Sequence, residues 1–338
     1  MFNLGLRDPP ITQSNLFLYT QMSAVRKSIP LLLQRLQQGT SIPPVELIYT
    51  PHSRWPLPNP KIIQQHPTRP LRISILDSSF NPPTLAHLAL INSPRPSFQN
   101  DDKPNSQIQD GCEYDAKLLL LSVKNADKSF KAGDATYQQR LEMMLLLSKD
   151  VRAGTNVDAS HSLSDHEAAN VAIAIIDKPT FVGKSRVLLD FLQQLLTTPL
   201  PLELTFLVGL DTLERLFSPR YYTSETDMMT SLRQFLSVAG DNSRIVCAKR
   251  VSSSEEAPQS TESLDDFASL VLAKEFRESD RIVLIDIGNA VNSYSSSAIR
   301  SAIGRFGLGQ STDQDGGWKG MVTGEIADYI VEKGLYVD

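Results

Sequence analysis

The side chains whose types and spacing could do chemistry fall in two short stretches, DSSFNPPTLAH (77–87) and NSYSSSAIRSAI (292–303). In the first, Pro82 and Pro83 stiffen a turn. Thr84 can cap a following helix while presenting a hydroxyl, and His87, three residues on, projects from the same face of the first turn. Free backbone N–H groups and the dipole at a helix start attract anions. A phosphate held there would meet amides, a hydroxyl and an imidazole together. In the second stretch Ser295, Ser296 and Ser297 open a helix, and Arg300 follows one turn in. That makes a second anion cradle, with a guanidinium able to fork onto phosphate oxygens. Each stretch alone has a plain alternative: a stiff corner with a solvent-exposed histidine, and a serine cap with a surface arginine. Paired across one sheet, they would wall a polyphosphate site at both ends.

The elements that must position them are six short β-rich runs: 71–76 (LRISIL), 117–123 (KLLLLSV), 171–176 (VAIAII), 202–208 (LELTFLV), 244–248 (RIVCA) and 281–287 (RIVLIDI). Most are continuously apolar, as expected of strands covered on both faces. Helical patterns lie between them at 84–93, 137–150, 183–196, 227–239 and 265–276. In YQQRLEMMLLLSKD (137–150) the apolar residues recur at i, i+3, i+4 spacing. Strand and helix alternating this way predict right-handed crossovers and a doubly wound parallel α/β sheet. In such sheets ligands bind outside the carboxyl ends of the strands, which is where 77–87 falls. Residues 71–338 read as this domain. Residues 1–70 read as an N-terminal extension with a helix at 21–38, a strand-like ELIYT and a proline-rich segment, able to engage a protein partner.

Composition sets the outer limits. The 338 residues carry a net charge of −5, which argues against a broad nucleic-acid surface. No apolar run approaches the roughly 18 residues needed to span a bilayer. Two cysteines, Cys112 and Cys247, lie far apart, so neither a disulfide framework nor a zinc site is expected. A soluble protein of the cytoplasm or nucleus is the expectation. The polar stretches 94–111, 153–167, 252–263 and 307–317 read as surface loops. His161 and His166 fall in one of them without paired ligands, and no protein metal site is expected there.

SFNPPTLAH resembles the first signature of the nicotinamide mononucleotide adenylyltransferase family, G-x-F-N-P-x-T-x-x-H in its eukaryotic members, and SSSAIR resembles the second, S-S-T-x-I-R. Weaker matches follow in the expected order: SVKNADKSFKAGDATYQQRLEMM (122–144), FLVGLDTLERL (206–216) and VTGEIADYIVEKGLY (322–336). The resemblance runs from about Leu71 to the C-terminus, and the insertions suggest a divergent, fungal-type branch. Ser78 stands where the family usually has glycine, and Thr84 where bacterial relatives have histidine.

The resemblance implies a Rossmann-like nucleotidyltransferase fold and adenylyl transfer from ATP to nicotinamide mononucleotide, giving NAD and pyrophosphate. It implies that His87 contacts the ATP phosphates and steadies the transition state. Arg300 and Ser296, with Ser295 in the same cradle, would hold the β- and γ-phosphates. The amides around Ser79 and Phe80 would approach the nucleotide. Asp211 would accept hydrogen bonds from adenosine, or else cap a helix, and Lys124 or, by preference, Lys128 could reach phosphates. Arg140 resembles a family arginine, or sits in a helix-surface ion pair. Phe181, beside Thr180, stands where the family stacks an aromatic ring, often tryptophan, on the pyridine; core packing is the alternative. Mg²⁺ would bridge phosphate oxygens, held mostly by water and substrate. Two other readings stand: nucleotidyl transfer to another phosphorylated small molecule, and an ATP-binding or weakly ATP-hydrolysing regulator.

Overall fold

A computed structural model describes residues 13–58, 69–98, 113–124, 133–152, 169–249, 273–309 and 317–337. The expected strands form as β2 (Leu71–Asp77), β3 (Ala116–Ser122), β4 (Val171–Ile176), β5 (Leu202–Gly209), β6 (Ser243–Ala248) and β7 (Ile282–Ile285). All are parallel. A seventh strand, β1 (Val45–Tyr49), comes from the segment before Leu71 and pairs antiparallel with β4. The sheet order is β1-β4-β3-β2-β5-β6-β7. The chain steps outward from β2 through β3 to β4, then returns to lay β5 on the other side of β2. That reversal is the switch point of an open parallel sheet, where a crevice forms between diverging loops. Leu76 and Leu207 are in register, so β2 and β5 end side by side at it.

Continuously apolar strands imply two buried faces, and both are present. Leu119, Leu121, Ile173 and Ile175 face one core with residues of α1 (Gln13–Gln37), α2 (Leu85–Ile91), α3 (Tyr137–Lys149), α9 (Ser296–Phe306) and α10 (Gly324–Lys333). Their neighbours Leu118, Leu120, Ala172 and Ala174 face the other. There they meet α4 (Phe181–Leu195), α5 (Leu210–Leu216), α6 (Glu225–Leu236) and α7 (Lys274–Glu278). The alternation is the period-2 placement of side chains along a strand.

Several helix starts follow caps rather than apolar period. Thr180 accepts from the Gly183 backbone N–H at 3.2 Å, so α4 begins at Phe181, ahead of the expected 183. Ser224 caps α6 through Asp227, two residues ahead of the expected start. Thr136 and Gln139 close a capping box at α3. The helix expected over 265–276 lies mostly outside the described residues; its described part is α7. A short helix, α8 (Asn289–Asn292), forms where none was expected.

At the opposite end of the strands from the crevice, Glu203 at the start of β5 bridges two guanidiniums, Arg95 at 2.9 Å and Arg244 at 3.0 Å. The Phe98 ring lies under both, 4.6 Å from Arg95 and 3.9 Å from Arg244. Burial alone would raise the Glu203 carboxyl, but the two arginines outweigh it and hold it below the usual glutamate range. This cluster ties the segment after α2 to the strand ends. Cys247 on β6 is buried, its thiol pushed up to about 12 by that burial, which makes it inert. Cys112 lies outside the described residues.

Candidate functional site

The corner between β2 and α2 is built around His87. Thr84 is the N-cap of α2, with its hydroxyl accepting from the His87 N–H at 3.4 Å. The Thr84 N–H donates to His87 Nδ1 at 3.0 Å, completing a capping box that uses an imidazole where a glutamate or glutamine is usual. His87 Nε2 lies 2.8 Å from Ser78 Oγ. The ring packs on Phe80, centroids 5.4 Å apart. Phe80 adopts a left-handed backbone, φ 45°, at a cost of roughly 1–2 kcal/mol for a non-glycine residue. Its ring is fully buried in the core, which offsets that cost. Burial pushes the His87 imidazole down to about 4.

The second stretch meets this corner directly. Ser295 caps α9, accepting from Ala298 N–H at 3.1 Å. Ser296 Oγ donates to the carbonyl of Pro82 at 2.7 Å, and Arg300 Nη1 donates to that of Asn81 at 2.5 Å. Asp134, ahead of α3, closes the junction. It accepts from Asn81 Nδ2 at 2.7 Å and lies 3.7 Å from both Arg300 and Arg140. Arg140 also donates to the Ser79 carbonyl at 3.4 Å. Of its two readings, Arg140 therefore takes a place inside the corner, not on an exposed helix face.

A cleft opens at the switch point. Its walls are the end of β2 (Asp77, Ser78), His87, the end of β5 with Asp211 and Arg215, Lys249 after β6, and Ser295 and Ser296. Asp211 stands in the first turn of α5, whose cap is Gly209, so the helix-cap alternative for Asp211 falls away. Asp77 is ion-paired with Lys184 from α4, both side chains buried. A bare carboxylate at the mouth of an anion site would repel its ligand; the ammonium cancels that charge.

The expected residues thus divide. His87, Asp211, Ser295 and Ser296 line the cleft together. Arg300 sits one layer back, on the corner's carbonyls. Thr84 is buried, its hydroxyl committed to the helix cap and the imidazole, and Phe80 supports His87 from the core. Ser79 meets Arg140 through its carbonyl. Thr180 and Phe181 stand apart from the cleft walls. Thr180 caps α4, and Phe181 packs edge-on to Phe206 at 5.6 Å, with the Lys184 ammonium 5.0 Å from its ring. Lys124 is in an exposed ion pair with Asp177 at 2.7 Å. Lys128, His161 and His166 lie outside the described residues. Among the described residues no three His, Cys, Asp or Glu side chains converge to hold a metal ion. No described helix is long and apolar enough to cross a membrane.

Sequence reading does not single out Asp77, Lys184, Asn81, Asp134, Arg215 or Lys249. The only local signal was position: Asp77 ends an apolar strand and Lys249 follows one, where sheets of this type carry their ligands.

A doubly wound sheet with a polar cleft at its switch point, backed by a serine-headed helix, defines an open α/β architecture with its cleft where such sheets carry their ligands. Over 178 residues, 53% of this chain, the sequence is 33% identical to a Schizosaccharomyces pombe protein named "Putative nicotinamide mononucleotide adenylyltransferase". The chain spans about half that relative's length, 53%. No family model matches the chain. Two solved structures of the Plasmodium falciparum nicotinic acid mononucleotide adenylyltransferase, one complexed with NaAD and one with APC, overlay on 78% of this chain and 96% of theirs. Their identities are 17% and 15%, with TM-scores of 0.40 and 0.39. Overlap that loose does not bear on the chemistry.

Proposed function

We propose that the protein transfers the adenylyl group of ATP to a pyridine mononucleotide, nicotinamide or nicotinate mononucleotide, releasing pyrophosphate. The observation that carries this reading is the junction of the two signature stretches, with Ser296 and Arg300 bonded to the backbone of the Asn81–Pro82 turn. The relative named above and the signature motifs agree with it.

The acceptor's phosphate monoester has its second pKa near 6 and is largely dianionic at neutral pH, so no general base is needed. One of its oxygens attacks the α-phosphorus in line. The bond to the bridging oxygen breaks, and pyrophosphate leaves with the electron pair. Catalysis then reduces to alignment and to stabilising charge on the transferring and leaving groups. The start of α9 at Ser295 and Ser296 turns backbone N–H groups toward the cleft wall beside His87, and Arg300 backs them with positive charge. Asp211 lines the β5 side of the cleft and would accept from adenosine hydroxyls or amines. Mg²⁺ would enter as counter-ion of ATP, part of the substrate, and neutralise charge on the phosphates.

The test is pyrophosphate release by the purified full-length chain with Mg-ATP, on adding nicotinamide mononucleotide, nicotinate mononucleotide or other phosphorylated acceptors. Acceptor-dependent release with either pyridine nucleotide supports the reading, and silence with both ends it. A second reading, a nucleotide-binding protein without pyridine transfer, is favoured by one observation: Thr180 caps α4 and Phe181 packs edge-on to Phe206, and neither lines the cleft. It expects tight ATP binding and no acceptor dependence.

A further inference from the structure

The direction of two hydrogen bonds at the corner decides which group meets the ligand; this inference rests on the adenylyl-transfer reading for the ligand's class. A backbone N–H can only donate, and that of Thr84 lies 3.0 Å from His87 Nδ1. Nδ1 therefore holds a lone pair, and the single proton of the neutral ring sits on Nε2. Burial, which pushes the imidazole down to about 4, keeps it neutral at ordinary pH. Nε2, 2.8 Å from Ser78 Oγ, is then the donor and the hydroxyl the acceptor.

Two consequences follow. Ser78 is no hydrolase-type nucleophile, because the nitrogen facing it carries a proton where a base would carry a lone pair. Its own O–H is left to donate elsewhere, and both Ser78 and His87 line the cleft. We propose that Ser78 is the group that touches the nucleotide's phosphate, and that His87 is a positioning residue acting through it. The Nε2–H fixes and polarises the hydroxyl, whose O–H donates a charge-assisted hydrogen bond to a phosphate oxygen.

The full-length chain and its Ser78→Ala, Ser78→Thr, His87→Ala and Ser78→Ala/His87→Ala variants are titrated calorimetrically with Mg-ATP, inorganic tripolyphosphate and adenosine. Ser78→Ala is expected to weaken Mg-ATP and tripolyphosphate about tenfold to a hundredfold, the worth of a hydrogen bond to a charged group. Adenosine, which has no phosphate, binds unchanged. Ser78→Thr, which keeps the hydroxyl, retains affinity within about threefold. Because His87 acts through Ser78, His87→Ala adds less than about twofold on top of Ser78→Ala. The proposal is overturned if Ser78→Ala binds Mg-ATP as the parent does or tighter, or if His87→Ala keeps its full effect without the hydroxyl. A parent chain that binds neither Mg-ATP nor tripolyphosphate overturns it too. The binding pattern without acceptor-dependent pyrophosphate release leaves this inference standing while the adenylyl-transfer reading fails; release without the pattern does the reverse.

Discussion

Arg300 Nη1 donates to the carbonyl oxygen of Asn81 at 2.5 Å, joining residues 219 positions apart. The helix that brings the arginine also brings Ser296 onto Pro82, so α9 clamps the corner by its backbone before any ligand arrives. The two signature stretches form one object, and its geometry depends on a guanidinium that reaches a carbonyl and a carboxylate together.

Arg300→Lys keeps the charge and loses the planar fork that serves Asn81 and Asp134 at once. We expect Mg-ATP affinity to fall about tenfold and stability by about 1 kcal/mol, one hydrogen bond's worth. Calorimetric titration and urea melts check both; unchanged affinity would mean the clamp is dispensable.

Protonation of His87 should couple to folding. Its folded value of about 4 lies below the ordinary value of about 6.5. Between the two, the unfolded chain binds a proton that the folded chain does not, so stability falls as pH drops through that window. His87→Gln removes this component. Urea midpoints at pH 7 and pH 5 should differ less in the variant than in the parent.

Lys184→Met strands the buried Asp77 carboxylate without its partner. Breaking a buried pair in this way costs about 3–5 kcal/mol. Replacing both, as Asp77→Asn/Lys184→Met, should recover most of that loss. Chemical denaturation of the two variants decides it: equal losses would show that the pair contributes no coupling.

Glu203→Gln removes the carboxylate that bridges Arg95 and Arg244, and should cost about 3–5 kcal/mol at pH 7. The folded carboxyl is held below its ordinary value, so its contribution is present above about 4.3 and lost as pH falls below it. The variant should therefore be weaker at neutral pH yet show a shallower acid limb in a melting series.

The six parallel strands are legible because continuous apolar runs have no other home than a sheet covered on both faces. Helix starts are less so, since Thr180 and Ser224 set them by capping while the apolar period only begins later. The corner and the serine-headed helix are readable as local chemistry, and their order along the chain points to one site. What joins them is not readable: Asp77 and Lys184 are 107 positions apart, and neither carries a local mark of the other. Ser78 stands out in sequence only as a departure from glycine. Its bond to His87 crosses the turn and exists only once the corner is folded. Phe181 satisfies a stacking role and a core role equally well on paper; in the fold it packs edge-on to Phe206 and stays partly exposed.

The antiparallel edge strand has an implication for anyone trimming the chain. Val45–Tyr49 occupies the outer ladder of β4, and α1 roofs the same end of the sheet. A fragment beginning near residue 69 would bare the amides and carbonyls of an all-apolar strand, a ready template for another copy's strand. Such a fragment should multimerise or precipitate, and adding back the peptide 13–58 should rescue it.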